Sequence, residues 1–430
     1  MNTRVLSVAA VLLSAAVSAG APHLSSSDIQ TNGMTVTVQG TSLAVAPLDV
    51  SRVKKEIQLK PGTPGWRGPS YTPGTAWRFG AMTAGSLKAR VGETVLKEGT
   101  DYLVDYDWGT LGAPQGSAWS GKKIMVEYTY TASRLDLAVG KDGRILLLQG
   151  KPDSGSPLLP KTPAGVIPLF SVYLPHNTTA LSSANINILD LSIKRHGGYT
   201  GREFIEPKLS KLAKGEAFTF AFLGDSITAQ TDPKGGGFVE RFRNWARGKY
   251  KNVKYVRMAR GKKGEPVSPA NGQVAVVMAG VGGDTSVRGL ARLDDHVLVH
   301  RPDLVFVMFG VNDENRRGNG NGVPPDQYEK NLTELVMRIR GAGGEPVLMT
   351  TSMKNLKWEA TVGNLAEYAR RARKVAAANK VCLIDHFRAW EDLPKQGYNY
   401  MIALSSCINH PGAMGHEMFF QAIRALLEGE

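Results

Sequence analysis

The sequence predicts an α/β fold with a parallel sheet over residues 206–430, preceded by an all-β domain over residues 22–205. Two observations carry this. In the second half, short apolar runs of strand type alternate with longer stretches of helical periodicity, the pattern of a parallel sheet with helices on both faces. In the first half, short runs with a two-residue apolar period are punctuated by Gly, Pro, Ser and Thr, as expected of antiparallel strands and turns.

Residues 1–21 come first. Met1-Asn2-Thr3-Arg4 is short and basic, the apolar stretch at 5–16 is too short to span a bilayer, and Val17-Ser18-Ala19 or Ala19-Gly20-Ala21 offers a small-residue cleavage site. The segment reads as a secretory signal peptide, and the expected location is secreted or periplasmic. No cysteine directly follows its apolar stretch, which argues against a lipoprotein anchor, and no later run reaches the roughly 18 apolar residues of a membrane span.

In residues 22–205, Thr35-Val36-Thr37-Val38 and the alternating run at 124–130 are strand signals. Runs at 135–139 and 144–148 flank Gly140-Lys141-Asp142-Gly143, whose Asp-Gly pair marks a hairpin turn. Four of the seven tryptophans, Trp66, Trp77, Trp108 and Trp119, fall here. Aromatic rings fill cores before they serve ligands, so core is the first reading and a sugar-stacking face the second.

From residue 206 onward, strand-type runs at 218–223, 274–278, 304–309, 347–351 and 381–384 alternate with helical patterns near 237–248, 287–299, 326–340, 365–378 and 414–427. Chemistry gathers where strands end. Gly224-Asp225-Ser226-Ile227-Thr228 follows the first run and places a serine at a strand-to-helix junction. A serine hydroxyl is a poor nucleophile at neutral pH and needs a base for its proton and donors for the oxyanion it creates. Gly280-Val281-Gly282-Gly283-Asp284-Thr285 offers a backbone N–H unobstructed by side chains. Asn312, in Gly310-Val311-Asn312-Asp313, offers a side-chain amide. His410, in Asn409-His410-Pro411-Gly412, lies on a loop before the last helix and is the candidate base.

These four motifs, in this order, resemble the SGNH hydrolases, also called the GDSL esterase superfamily, over about residues 215–430. Arg292-Leu293-Asp294 and Arg301-Pro302-Asp303-Leu304 sit in their usual places between them. The resemblance implies a flavodoxin-like three-layer domain. It also implies Ser226 as nucleophile, His410 as general base, and an oxyanion hole from the backbone N–H groups of Ser226 and Gly283 with the Asn312 side chain. One position departs from the family: the triad acid usually stands three residues before the histidine, where this chain has Cys407. Some members use a main-chain carbonyl instead, so the expectation is a Ser226–His410 dyad oriented by a carbonyl near Cys407. Asp385 and Asp392 are the alternatives, and Asp385, ending a strand-type run, reads first as a helix cap.

The two cysteines, Cys382 and Cys407, either pair or stay as free thiols; the sequence leaves both open. With Lys+Arg at 52 and Asp+Glu at 38 the formal charge is +14, which points to an anionic partner such as an acidic polysaccharide or a cell envelope. Export argues against nucleic acid. Basic residues concentrate between Arg241 and Lys263; a solvated helix and loop is the plain reading, and a rim attracting uronate or sulfate groups the sharper one. His296 and His300 are four apart, a metal-compatible spacing, but no third ligand lies nearby and a helix-end role is expected. His416 reads as structural. The expected protein uses no metal or organic cofactor. It is a serine esterase removing O-acetyl groups from a polysaccharide, neutral or anionic; the substitution at Cys407 keeps a glycan-binding or adhesion module open, and the superfamily keeps a lipase or acyltransferase open.

Overall fold

The computed structural model describes residues 24–430 apart from 76–77, 154, 194–197, 231–235, 319 and 406–407. The expected signal peptide, Trp77 and Cys407 therefore lie outside the described residues. The chain forms two compact units, Met1–Ser192 with Leu393–Ile402, and Ile193–Asp392 with Ala403–Glu430. The division differs from the expected boundary at 205 for two physical reasons. Tyr199–Thr200 pairs antiparallel with Cys382–Ile384, which draws it into the second unit's sheet. Residues 393–402 return to the first unit, where Lys395 O accepts from Asp190 N at 2.7 Å and Gly397 O accepts from Ser171 Oγ at 2.7 Å.

The first unit is built from antiparallel strands, as its punctuated sequence predicts. Val50–Gln58 pairs with Lys123–Thr131 from one end to the other, and Arg134–Lys141 lies between Arg144–Leu148 and Ile167–Leu174. The Asp-Gly turn is where the sequence puts it: Lys141 pairs with Arg144, and Asp142 and Gly143 take φ of 48° and 71°, the two-residue turn whose twist suits a hairpin. Trp108 is a core residue, buried edge-on against Phe79 at 4.8 Å. Trp119 packs, half-buried, on the same unit's core, and Trp66 is half-buried beneath the Arg67 guanidinium. Of the described tryptophans in this unit, only Trp108 is fully buried.

The second unit is a seven-stranded sheet flanked by helices. Its parallel strands are β1 (Phe218–Gly224), β2 (Lys251–Arg257), β3 (Gln273–Gly280), β4 (Leu304–Met308), β5 (Glu345–Met349) and β6 (Cys382–Ile384), in the spatial order β6-β5-β4-β1-β3-β2, with Tyr199–Thr200 as the antiparallel edge beyond β6. Its main helices are α1 (Ser226–Ala229), α2 (Phe238–Lys249), α3 (Ser286–Ala291), α4 (Val311–Glu314), α5 (Pro325–Gly341), α6 (Leu365–Asn379), α7 (His386–Glu391) and α8 (Ala413–Glu428). Without β2 the order is the flavodoxin-like one, which reverses direction at β1. β1 is buried at every residue, and Phe222 stacks on Phe306 of β4 at 4.8 Å while meeting Phe242 of α2 edge-on at 4.9 Å. Each such buried ring contributes roughly 1.5–3 kcal/mol.

Two elements depart from expectation. The basic segment expected as a solvated helix and loop contains β2, an edge strand, Lys- and Arg-rich because charge protects an exposed edge from further pairing. The helical pattern near 287–299 is broken at Arg292, between α3 and the short helix Leu293–His296. Cys382 is a buried free thiol within β6. Among the described residues no helix is long and apolar enough to cross a membrane.

Candidate active site

Register brings the three site loops to one level. Gly224 pairs with Gly280 of β3 and with Met308 of β4, so the chain leaves all three strands together at their carboxyl ends, beside the strand where the order reverses. Glycine is required at two of these exits. A Cβ on Gly224 would lie 2.8 Å from Met308 O and press on Thr228 Oγ1, and one on Gly280 would lie 2.8 Å from the Thr228 carbonyl carbon. The nucleophile turn and the glycine loop are further tied by Val281 N donating to Gly224 O at 3.1 Å.

Asp225 caps α1: its Oδ1 accepts from Ile227 N at 2.8 Å, which fixes the turn that presents Ser226. Ser226 and His410 are both half-buried, and His410 Nε2 lies 2.8 Å from Ser226 Oγ. The histidine's loop is held from both sides. His410 O accepts from Ser405 N at 2.9 Å, Ala403 O from Gly412 N at 2.7 Å, Ile408 O from Asn355 N at 2.6 Å, and Pro411 O from Gln230 Nε2 at 3.1 Å.

Gly283 is exposed in the left-handed region at φ 74°, in the turn closed by Asp284 N donating to Val281 O at 3.2 Å. Asn312 is buried in α4, immediately after Gly310 at φ 130°, and its Nδ2 donates to Asp284 O at 2.9 Å. The same Nδ2 lies 3.5 Å from Asp225 Oδ2. The structure therefore brings Ser226 to His410, and Asn312 to both the Gly283-Asp284 loop and the nucleophile's capping residue.

Sequence alone does not single out the residues that support these groups. Asp284 is clamped by two guanidiniums, Arg292 Nε at 2.7 Å and Arg260 Nη2 at 2.9 Å. Arg292 also donates to Ala279 O at 2.7 Å and Gly224 O at 2.8 Å, so one side chain fastens the ends of β1 and β3. Asp313 accepts from Ser286 N at 2.9 Å and Gly310 N at 3.2 Å, joining α3 to α4. The only sequence signal for this network was its position inside motifs already quoted.

Asp385 does what the plain reading expected. It caps α7 and is held by Arg373 Nε at 2.7 Å and Thr350 Oγ1 at 2.9 Å, and Asp392 accepts from Arg388 at 3.1 Å. The carbonyl expected near Cys407 lies outside the described residues. His296 is 3.2 Å from Arg292 Nη1, His300 accepts from Val267 N at 3.3 Å, and buried His416 accepts from Phe238 N at 3.2 Å.

Burial pushes the Asp225 carboxyl up to about 7; nearby Asp313 and Asp284 add to the rise while the Ile227 N–H and Arg292 oppose it. Burial pushes Asp313 up to about 6 against its Ser286 hydrogen bonds. Unfolded, an aspartate titrates near ~3.9. Between about pH 4 and 7 the folded protein keeps a proton on Asp225 that the unfolded chain has released, so this group's contribution falls as pH rises, by on the order of 4 kcal/mol in full. Asp225→Asn removes that titration. The melting temperature of the Asn variant, relative to wild type, is expected to climb as pH is raised from 4 to 7; a difference that stays flat across thermal melts would refute the raised pKa.

Residues 222–418, within the second unit, match the model of the GDSL-like lipase/acylhydrolase family. The chain is similar to the acetylxylan esterase of Geobacillus stearothermophilus, 28% identical over 221 residues, covering 49% of this chain and 94% of that protein. It is also similar to thioesterase 1/protease 1/lysophospholipase L1 of Escherichia coli (strain K12), 39% identical over 77 residues and 18% of this chain; the chain spans only 35% of that relative's length. Among solved structures, the lipase/acylhydrolase from Enterococcus faecalis superposes at TM-score 0.38 with 23% identity, over 49% of this chain and 96% of that one. The Geobacillus stearothermophilus acetylxylan esterase Axe2 superposes at TM-score 0.40 with 22% identity, over 50% and 97%.

Proposed function

We propose that the protein is an exported serine esterase that removes small acyl groups, acetyl above all, from a polysaccharide. The observation that carries the reading is the 2.8 Å contact between His410 Nε2 and Ser226 Oγ at the end of a capped strand-to-helix turn. Ser226 attacks the ester carbonyl as His410 takes its proton. The N–H groups of Ser226 and Gly283 and the Asn312 amide receive the oxyanion; His410 returns the proton to the leaving sugar alkoxide, and water then releases the acid through the same base. The chemistry assigned to these residues needs no cofactor. The first unit, together with an amino-terminal leader, is proposed as an accessory domain and export signal.

The similarity of half of this chain to 94% of an acetylxylan esterase supports the choice of an acetylated glycan. Acetate release from a panel of acetylated polysaccharides, neutral and acidic, tests it, together with labelling of Ser226 by a serine-directed phosphonate. No release from any glycan and no labelling would overturn the esterase reading in favour of a binding module. Asn312→Ala is expected to lower kcat by about 10²–10³, the usual effect of removing one oxyanion donor. KM should change little, and a loss confined to KM would remove Asn312 from the oxyanion hole.

A further inference from the structure

Beside the glycine loop lies a cavity of about 400 Å³ whose walls include Val281 and Asp284 of that loop. Five cations line it: Arg260, Lys262 and Lys263 from the segment after β2, and Arg288 and Arg292 from α3 and its end. Only two carboxylates face them, Asp284 and Asp295. The Asp284 charge is already committed, held between Arg260 and Arg292. Lys262, Lys263 and Arg288 are exposed and form no ion pair among the described residues. A concave site with surplus charge of one sign concentrates field and attracts the opposite sign. Guanidinium and ammonium groups together suit a carboxylate or sulfate oxygen.

Resting on the esterase reading, we infer that this cavity is a subsite for an anionic substituent of the polymer whose ester is cleaved at Ser226. The substrate is then an acylated acidic polysaccharide, with the charged group carried beside the ester-bearing sugar. The cation-rich segment after β2 is an irregular connection, 258–272, rather than the usual crossover helix. The plain reading of a solvated face does not account for three unpaired cations gathered into a cavity at the oxyanion loop.

Calorimetric titration of the full-length protein with three probes tests this without relying on turnover: de-esterified oligogalacturonate, a sulfated oligosaccharide and neutral xylo-oligosaccharide. Wild type is expected to bind an acidic probe at least about tenfold more tightly than the neutral one, and the preference should shrink with added salt. Whichever acidic probe binds better separates a uronate from a sulfate. The triple variant Lys262→Ala, Lys263→Ala, Arg288→Ala should lose about tenfold or more in that preference. A variant with the same charge change at exposed Lys55, Lys88 and Lys97 of the first unit should keep it. Equal binding of acidic and neutral probes overturns the subsite, as does an equal loss in both variants, which would mean attraction by overall charge. Acetate release from acetylated polygalacturonate and acetylated xylan separates the two readings. Acid binding without release from either and without phosphonate labelling of Ser226 would leave the anion site standing and sink the esterase, whereas release from both with no binding preference would do the reverse.

Discussion

Replacing Ser226 by Ala is expected to lower kcat for an activated acetate ester by about 10⁴–10⁶, and His410→Ala by a similar factor, because a nucleophile and its base act as one unit. For the same reason the double variant should be little worse than either single one. The fold should not suffer. Ser226 is half-buried, and the cap of its helix comes from Asp225, so the Ala variant is expected to melt within about 2 °C of wild type, inside the range of an ordinary exposed substitution. Steady-state rates alongside thermal melts decide the matter. A Ser226→Ala protein that is folded and fully active would remove this site from the chemistry altogether.

The second large effect concerns a residue that touches no reacting atom. Lys354 and Glu314 form an ion pair with side chains 1% and 0% exposed. Glu314 also accepts from Thr361 Oγ1 at 2.9 Å, Val362 N at 2.9 Å and Asn364 N at 3.1 Å, while Lys354 donates to Asn315 Oδ1 at 2.7 Å. Glu314 closes α4, the helix that carries Asn312, so the pair fastens the amide donor to the loop after β5. Burial draws the Lys354 ammonium pKa down, and Glu314 opposes that pull. Lys354→Met leaves a buried carboxylate uncompensated, which costs about 3–5 kcal/mol. For a unit of this size that corresponds to a fall of roughly 6–20 °C in melting temperature. Adding Glu314→Gln should restore part of the loss, since the amide oxygen still accepts from the loop. A single variant melting with wild type would mean the pair contributes nothing.

The strand-end motifs of the candidate site were legible in the sequence because each is local: a buried strand, then glycine, then a polar side chain or an open backbone N–H. Ser226 and Asn312 follow the first pattern and Gly283 the second, and register brings the ends of the three strands that precede them to one level. Asp225, Asp284 and Arg292 were not legible as a network, because an aspartate clamped by arginines 8 and 24 residues away announces no period or motif. β2 was missed because an edge strand hides its alternation behind lysine and arginine. The boundary at 205 was displaced because two residues of edge strand, Tyr199–Thr200, leave almost no hydrophobic signal. The Asp-Gly hairpin, by contrast, could be read directly, since left-handed backbone at both turn residues restricts the choice of side chain.

The return of residues 393–402 to the first unit has a consequence for biosynthesis. Domains that are continuous in sequence can fold as they emerge from the ribosome, the earlier before the later. Here the first unit lacks its last segment until about 200 further residues have been made, a wait of roughly 10–40 s at ordinary elongation rates. A nascent chain stopped after residue 392 holds neither unit whole, and protease resistance of both units is expected to arise together, late in translation.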